Sequence, residues 1–225
     1  MPRYIEELVS KQVHRSELAR QKELENGEKC LNPTITISRG MGSGARVVAE
    51  KLAHDIGWSL WDKELVEAVA KDASVSQRVV ELFDEKTRSE IDLMTRAALG
   101  DNEMGGFLYA THLAKAVASI AKLGNAIILG RGANLLLPKA LHVRIDASDE
   151  YRIRNMMQFE TMTHAAAEAK IRESDKERHH FMVSLFGKER VEHAQYDLII
   201  WMDKFENDTV TNIIKAALPG ICKRE

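Results

Sequence analysis

Residues 34–48, TITISRGMGSGARVV, hold the side chains and spacing most suited to chemistry. Glycines stand at 40, 42 and 44, with Arg39 just before them and Arg46 just after. Closely spaced glycines let backbone N–H groups converge and let an anion approach the main chain. A helix starting at the same place adds the partial positive charge of its N-terminus. The chemistry on offer is phosphate binding, by Arg39, Gly40, Met41, Gly42, Ser43, Gly44, Ala45 and Arg46. The pattern G-x-x-x-x-G-K-[ST] is complete in neither register. Counted from Gly40, Arg46 takes the lysine position, but Ala45 replaces glycine and Val47 replaces the metal-binding hydroxyl. Counted back from Gly44, Ala45 sits where the lysine belongs. The dinucleotide pattern G-x-G-x-x-G also fails, because Val47 stands at its third glycine. On this stretch alone, a glycine turn that holds no ligand remains open.

Other polar residues fall where strands end. Asp62 follows the apolar run Trp58-Ser59-Leu60-Trp61 and can cap a helix over Lys63–Lys71 or face a substrate or metal. Arg131 stands between Gly130 and Gly132 directly after Asn125–Leu129. Arg152 and Arg154 lie on a helix that Ser148 can cap, and are either a solvated face or part of a site. Asp175 and Arg178 are spaced i, i+3 and can form a surface ion pair worth tenths of a kcal/mol, or hold a ligand. His179-His180 diverge on a helix and read as surface residues. Cys30 and Cys222 show no metal or redox spacing.

These residues need elements to position them. Strand candidates are Thr34–Ser38, Trp58–Trp61, Asn125–Leu129, Leu141–Ile145 and Tyr196–Met202, each followed by a helical pattern. Right-handed crossovers then require a parallel sheet covered on both faces. Residues 3–25 read as a charged, mostly solvent-facing helix stopped at Asn26-Gly27, with Glu28-Lys29 beginning a linker. That helix is either a docking or oligomer contact or a loosely attached arm. Residues 74–123 are helical almost throughout, with Ser76 capping Gln77–Phe83 and a break over 101–106. The 74–106 part reads as a mobile insert over the site, with a second rigid subdomain as the alternative. Thr163–Glu173 and Ser174–Phe186 read as two further helices.

Composition narrows the class. The 225 residues suit one α/β domain, alone or with an appendage, and 44% apolar content is enough for a real core. A net charge of −2 gives no argument for nucleic acid or an anionic membrane as partner. No apolar run approaches the roughly 20 residues that span a bilayer, and the charged N-terminus has no signal core. The expectation is a cytoplasmic, reduced protein.

Over about residues 33–218 the sequence resembles the cytidylate kinase-like family of P-loop nucleoside monophosphate kinases. The resemblance is carried by Ile35–Arg39 with Gly42-Ser43-Gly44, by Trp61–Leu65, by Gly130-Arg131-Gly132, and by Leu141–Arg144. Asp175 with Arg178, Phe186-Gly187 and Tyr196–Ile199 complete it. It implies a three-layer P-loop NTPase fold with a five-stranded parallel sheet in order 2-3-1-4-5 and a helical lid. Residues 1–32 would be an arm and 33–225 the kinase-like domain, with 74–123 as insert and acceptor side and 148–190 as lid. The implied activity is phosphoryl transfer, dependent on ATP and Mg²⁺, to a CMP- or dCMP-like nucleoside monophosphate or a similar small phosphate acceptor.

By the same resemblance, Arg46, Arg131, Arg152, Arg154 and Arg178 would be catalytic. Asp62, Arg131, Asp175 and Arg178 would bind substrate, and Ser43 or Asp62 would meet the metal. Lys63 and Gly132 depart from true cytidylate kinases, which carry a small hydroxyl residue and an aspartate there, so cytosine recognition is not implied. The alternatives are a nucleotide-binding regulator without turnover and a kinase for a non-nucleotide small molecule. No nucleic acid or membrane partner is expected, and the N-terminal helix is a candidate homo-oligomer contact.

Overall fold

In the computed structural model, which describes residues 3–25, 33–99 and 107–221, strands and helices alternate. The order begins α1 (Arg3–Glu25), β1 (Thr34–Arg39), α2 (Ala45–Ile56), β2 (Ser59–Trp61), α3 (Lys63–Lys71), α4 (Ala73–Glu81) and α5 (Glu85–Leu99). It continues α6 (Phe107–Leu123), β3 (Ala126–Leu129), α7 (Ala133–Leu136), β4 (Leu141–Asp146) and α8 (Asp149–Glu160). The chain then forms α9 (His164–Phe186), α10 (Lys188–Glu192), β5 (Leu198–Trp201), a short 3₁₀ turn at Met202–Lys204, and α11 (Asn207–Ile221).

Alternation within the strands sets the layers. Ile35 and Ile37 of β1, Ile127 and Leu129 of β3, and Val143 and Ile145 of β4 face α2 and α11 in one core. Trp61, Ala126 and Ile128 face α3 and α6 in the other. The five strands are all parallel, in the order β2-β3-β1-β4-β5. This is the three-layer, P-loop-type sheet implied above. Ile37 sits opposite Leu129, the last residue of β3, and Arg39 opposite Ile145, so β1 and β4 run on together about one pleat beyond β3. Gly40, Gly130 and Asp146 are thereby brought to one edge of the sheet, where loops can build a site.

Several local expectations change. α4 starts at Ala73 and not at Ser76, because the Asp72 carboxylate accepts the Val75 N–H at 3.2 Å and leaves Ser76 inside the helix. Residues 164–186 form one helix and not two: Thr163 caps it, and neither glycine nor proline interrupts it. The four-residue α7, started by Gly132 in a left-handed conformation, was not anticipated. α4 and α5 pack on the α6 side of the molecule, with Val75, Val79 and Ile91 buried.

α1 is docked and not loosely attached. Val9 joins one core and Ala19 the other. The buried Ser16 and Ser59 hydroxyls lie 2.8 Å apart, and Gln12 Oε1 accepts the Leu60 N–H at 2.9 Å. The helix stop at Asn26-Gly27, the linker at Glu28-Lys29, the break over 101–106, Cys30 and Cys222 lie outside the described residues. Among the described residues, no helix is long and apolar enough to cross a membrane.

Candidate active site

β1 runs straight into the glycine loop. Gly42 and Gly44 adopt φ of 78° and 79°, a left-handed conformation that glycine takes without a Cβ penalty. The buried Ser43 hydroxyl donates to Gly40 O at 2.9 Å, which closes the loop on itself. α2 begins at once at Ala45, so the loop lies at a helix N-terminus.

The loop is gripped from above by α8. The Arg152 side chain is 8% exposed, and its Nε donates to Met41 O at 2.7 Å. Its other two nitrogens reach Asp149 at 3.2 Å and Asp175, on α9, at 2.6 Å. Asn155 Nδ2 donates to Gly42 O at 2.9 Å, and Met41 packs against the cluster of Ile153, Met156, Ala167 and Ile171. A Cβ at position 42 would come within 2.6 Å of the Arg152 carbonyl, so the close crossing of α8 requires glycine there.

Guanidinium groups gather beside the loop. Arg131, at φ 56°, pairs with Glu67 and lies 4.6 Å from the centre of the Phe181 ring, while its Nε is buried without a hydrogen-bond partner. Arg178 Nη1 donates to Arg39 O at 2.8 Å. Burial, with Arg152 and Arg131 close by, holds the Arg178 guanidinium below its ordinary value against the opposing pull of Asp175 and Asp146. Arg39 is held down to about 10, first by burial and then by the charge of Arg178, with Arg131 and Arg46 adding to it. Arg46 differs: its side chain is 65% exposed, and its hydrogen bond to Glu50 raises its pKa. It also reaches Asp62 at 3.3 Å.

Residues 34–204, from β1 to the turn after β5, match the cytidylate kinase-like family. The chain belongs to that family. A crystal structure of an uncharacterized protein from Eubacterium ventriosum is 27% identical at a TM-score of 0.61, covering 84% of this chain and 99% of that one. Two more distant likenesses are a Thermus thermophilus protein (17% identity, TM-score 0.43, 84% of this chain and 97% of that one) and a dephospho-CoA kinase from Campylobacter jejuni (14%, 0.37, 85% and 98%). No curated protein matches the sequence. Cytidylate kinase-like proteins use ATP and Mg²⁺ in general.

In this cytidylate kinase-like chain, Arg39, Arg131, Arg152, Asp175 and Arg178 gather around the loop. Asp62 caps α3, accepting the Glu64 and Leu65 N–H groups, and turns its other oxygen to Arg46. Ser43 points back into the loop. Arg154 is exposed and acts on Asp203. The sequence reading did not anticipate Glu67, Asn155 or Phe181, whose positions on helices carry no motif. Asp146 had a signal, since it ends β4; its Oδ1 lies where a Cβ on Gly40 would have to go.

Proposed function

We propose that the protein is an ATP- and Mg²⁺-dependent kinase that transfers a phosphoryl group to a nucleoside monophosphate or a similar small phosphorylated acceptor. The observation that carries this reading is the convergence of Arg39, Arg131 and Arg178 beside a glycine loop at a helix N-terminus. Phosphoryl transfer is mostly positioning plus neutralisation of oxygen charge, which such a cluster supplies. ATP with Mg²⁺ contributes the transferable phosphoryl group and the metal's charge. The N–H groups of Gly40 to Ala45 would hold the donor phosphates. Arg131 would hold the acceptor phosphate with its planar fork, and its unmet Nε–H is a donor that such an anion satisfies.

The fit to the metal is of a particular kind. Val47 offers no oxygen, Ser43 is turned inward, and no group of three metal-ligating side chains occurs among the described residues. Mg²⁺ commonly rides on substrate phosphates with water and one or two carboxylates, and Asp62 at the end of β2 is the carboxylate available for that. The absent lysine and hydroxyl favour a second reading, a regulator that binds nucleotide without turnover.

ADP formation from ATP·Mg²⁺ with CMP, dCMP, UMP, AMP and GMP separates the two. The expected result is turnover with at least one acceptor, reduced about 10²-fold or more in Arg131→Ala. Calorimetric binding of ATP with no turnover across the panel would favour the regulator. Absence of ATP binding would end both readings.

A further inference from the structure

The arginines of the site are not equivalent, and the difference lies in what already neutralises them. Arg46 is paired with Glu50 and Asp62, and Arg131 with Glu67. Arg152 is paired with Asp149 and Asp175; Arg178 has no carboxylate within ion-pair distance among the described residues but gives an N–H to the carbonyl of residue 39. Among the described residues, no carboxylate lies within ion-pair distance of the Arg39 guanidinium and no acceptor takes its N–H groups. The guanidinium lies against Gly130 at the end of β3, where a Cβ would overlap Nη1, so the fold keeps space for it there. Three like charges act on it, from Arg178, Arg131 and Arg46, while Asp62 counters them only from beyond ion-pair range. A partly buried cation left uncompensated costs stability. Its retention makes sense where a ligand's negative charge completes the site.

We propose that Arg39, lying between the ends of β1 and β3, is the guanidinium that binds a phosphate of the reacting nucleotides in place of the absent loop lysine, and that Arg46 is not. The inference rests on the kinase reading above and deepens it. A lysine at the start of α2 would reach the phosphates from the helix, whereas Arg39 approaches from the last residue of β1, on the side of Arg131 and the acceptor. Its fork can take two oxygens of one phosphoryl group, and its charge meets the negative charge that gathers there during transfer. Removing such a residue also has an effect that a structural arginine would not show. Without ligand, the protein loses a repelled, desolvated cation and becomes no less stable.

The test uses the full chain as wild type, Arg39→Met, Arg39→Lys and Arg46→Met. Inorganic pyrophosphate and metal-free ATP are the probes in calorimetry, and thermal unfolding is followed with and without pyrophosphate. The expected loss of pyrophosphate affinity is about tenfold or more in Arg39→Met, intermediate in Arg39→Lys, and smaller in Arg46→Met. Ligand-free Arg39→Met should unfold at the wild-type temperature or above it, and its stabilisation by a given pyrophosphate concentration should be smaller than that of wild type. Pyrophosphate affinity within about threefold of wild type in Arg39→Met, a larger loss in Arg46→Met, or a fall in the ligand-free unfolding temperature of Arg39→Met (failure to fold included) would each overturn the assignment. If wild type forms ADP and binds pyrophosphate while Arg39→Met does the same, only the Arg39 assignment falls. If wild type binds neither probe, the kinase reading falls with it.

Discussion

Arg152 is spent inside the protein, reaching Met41 O, Asp149 and Asp175 in three directions from one planar group. Lysine carries the same charge on a single point and cannot serve all three. Arg152→Lys is therefore expected to cost about 1–3 kcal/mol in chemical denaturation. The cost stops there because Asp149 and Asp175 are 83% and 41% exposed and regain water when the pair breaks. Hydrogen exchange at the amides of residues 41–44 should quicken in the same variant, since the carbonyls that shape the loop lose their grip on α8. At this scale the sequence was half legible. Three glycines in five positions announce the tight turn between β1 and α2, and Arg131 between two glycines announces a second turn, after β3. The Glu50 partner of Arg46 lies four residues on in the same helix, but Glu67 and Asp175, which hold Arg131 and Arg152, come from other elements and leave no trace in local spacing.

Among the elements, β4 is tied to β1 by more than its ladder. His142 Nδ1 lies 2.8 Å from Thr36 Oγ1, and burial holds the imidazole below its ordinary value although the Asp197 charge pulls the other way. A histidine whose pKa is lowered on folding stabilises the fold while it stays neutral. That contribution is complete above the unfolded value, begins to be lost as pH falls past it, and is gone once pH has fallen through the lower folded value. Denaturation midpoints should therefore drop between about pH 7.5 and pH 5.5, and His142→Gln should show a shallower drop over the same window. Element type was readable here because period-2 alternation in β1 and β4 and long helical runs are strong signals. Starts were less readable: Asp72 takes the cap that Ser76 could have supplied, and the four residues of α7 are too few to show a period.

For the whole molecule, the sheet has two edges, and α1 covers the one at β2. Gln12 takes the Leu60 N–H that would otherwise be open to another strand. Removing residues 1–25 should cost about 3 kcal/mol or more, from the lost burial of Val9, Ala19 and their neighbours. Sedimentation velocity should then show self-association through the bared β2 edge. The parallel sheet followed from the alternating pattern and its strand order from the family resemblance. The docking of α1 did not, because its apolar positions are sparse and its holdfasts are Gln12 and Ser16, polar residues with no period of their own. Those holdfasts bear on the order of events during synthesis. α1 leaves the ribosome before the sheet does, yet Ser16 meets Ser59, and Ser59 is fixed by the carbonyl of Asn125 just ahead of β3. The helix must wait undocked until β2 and β3 have been made and paired. The earliest of these elements to be synthesised is among the last able to find its place.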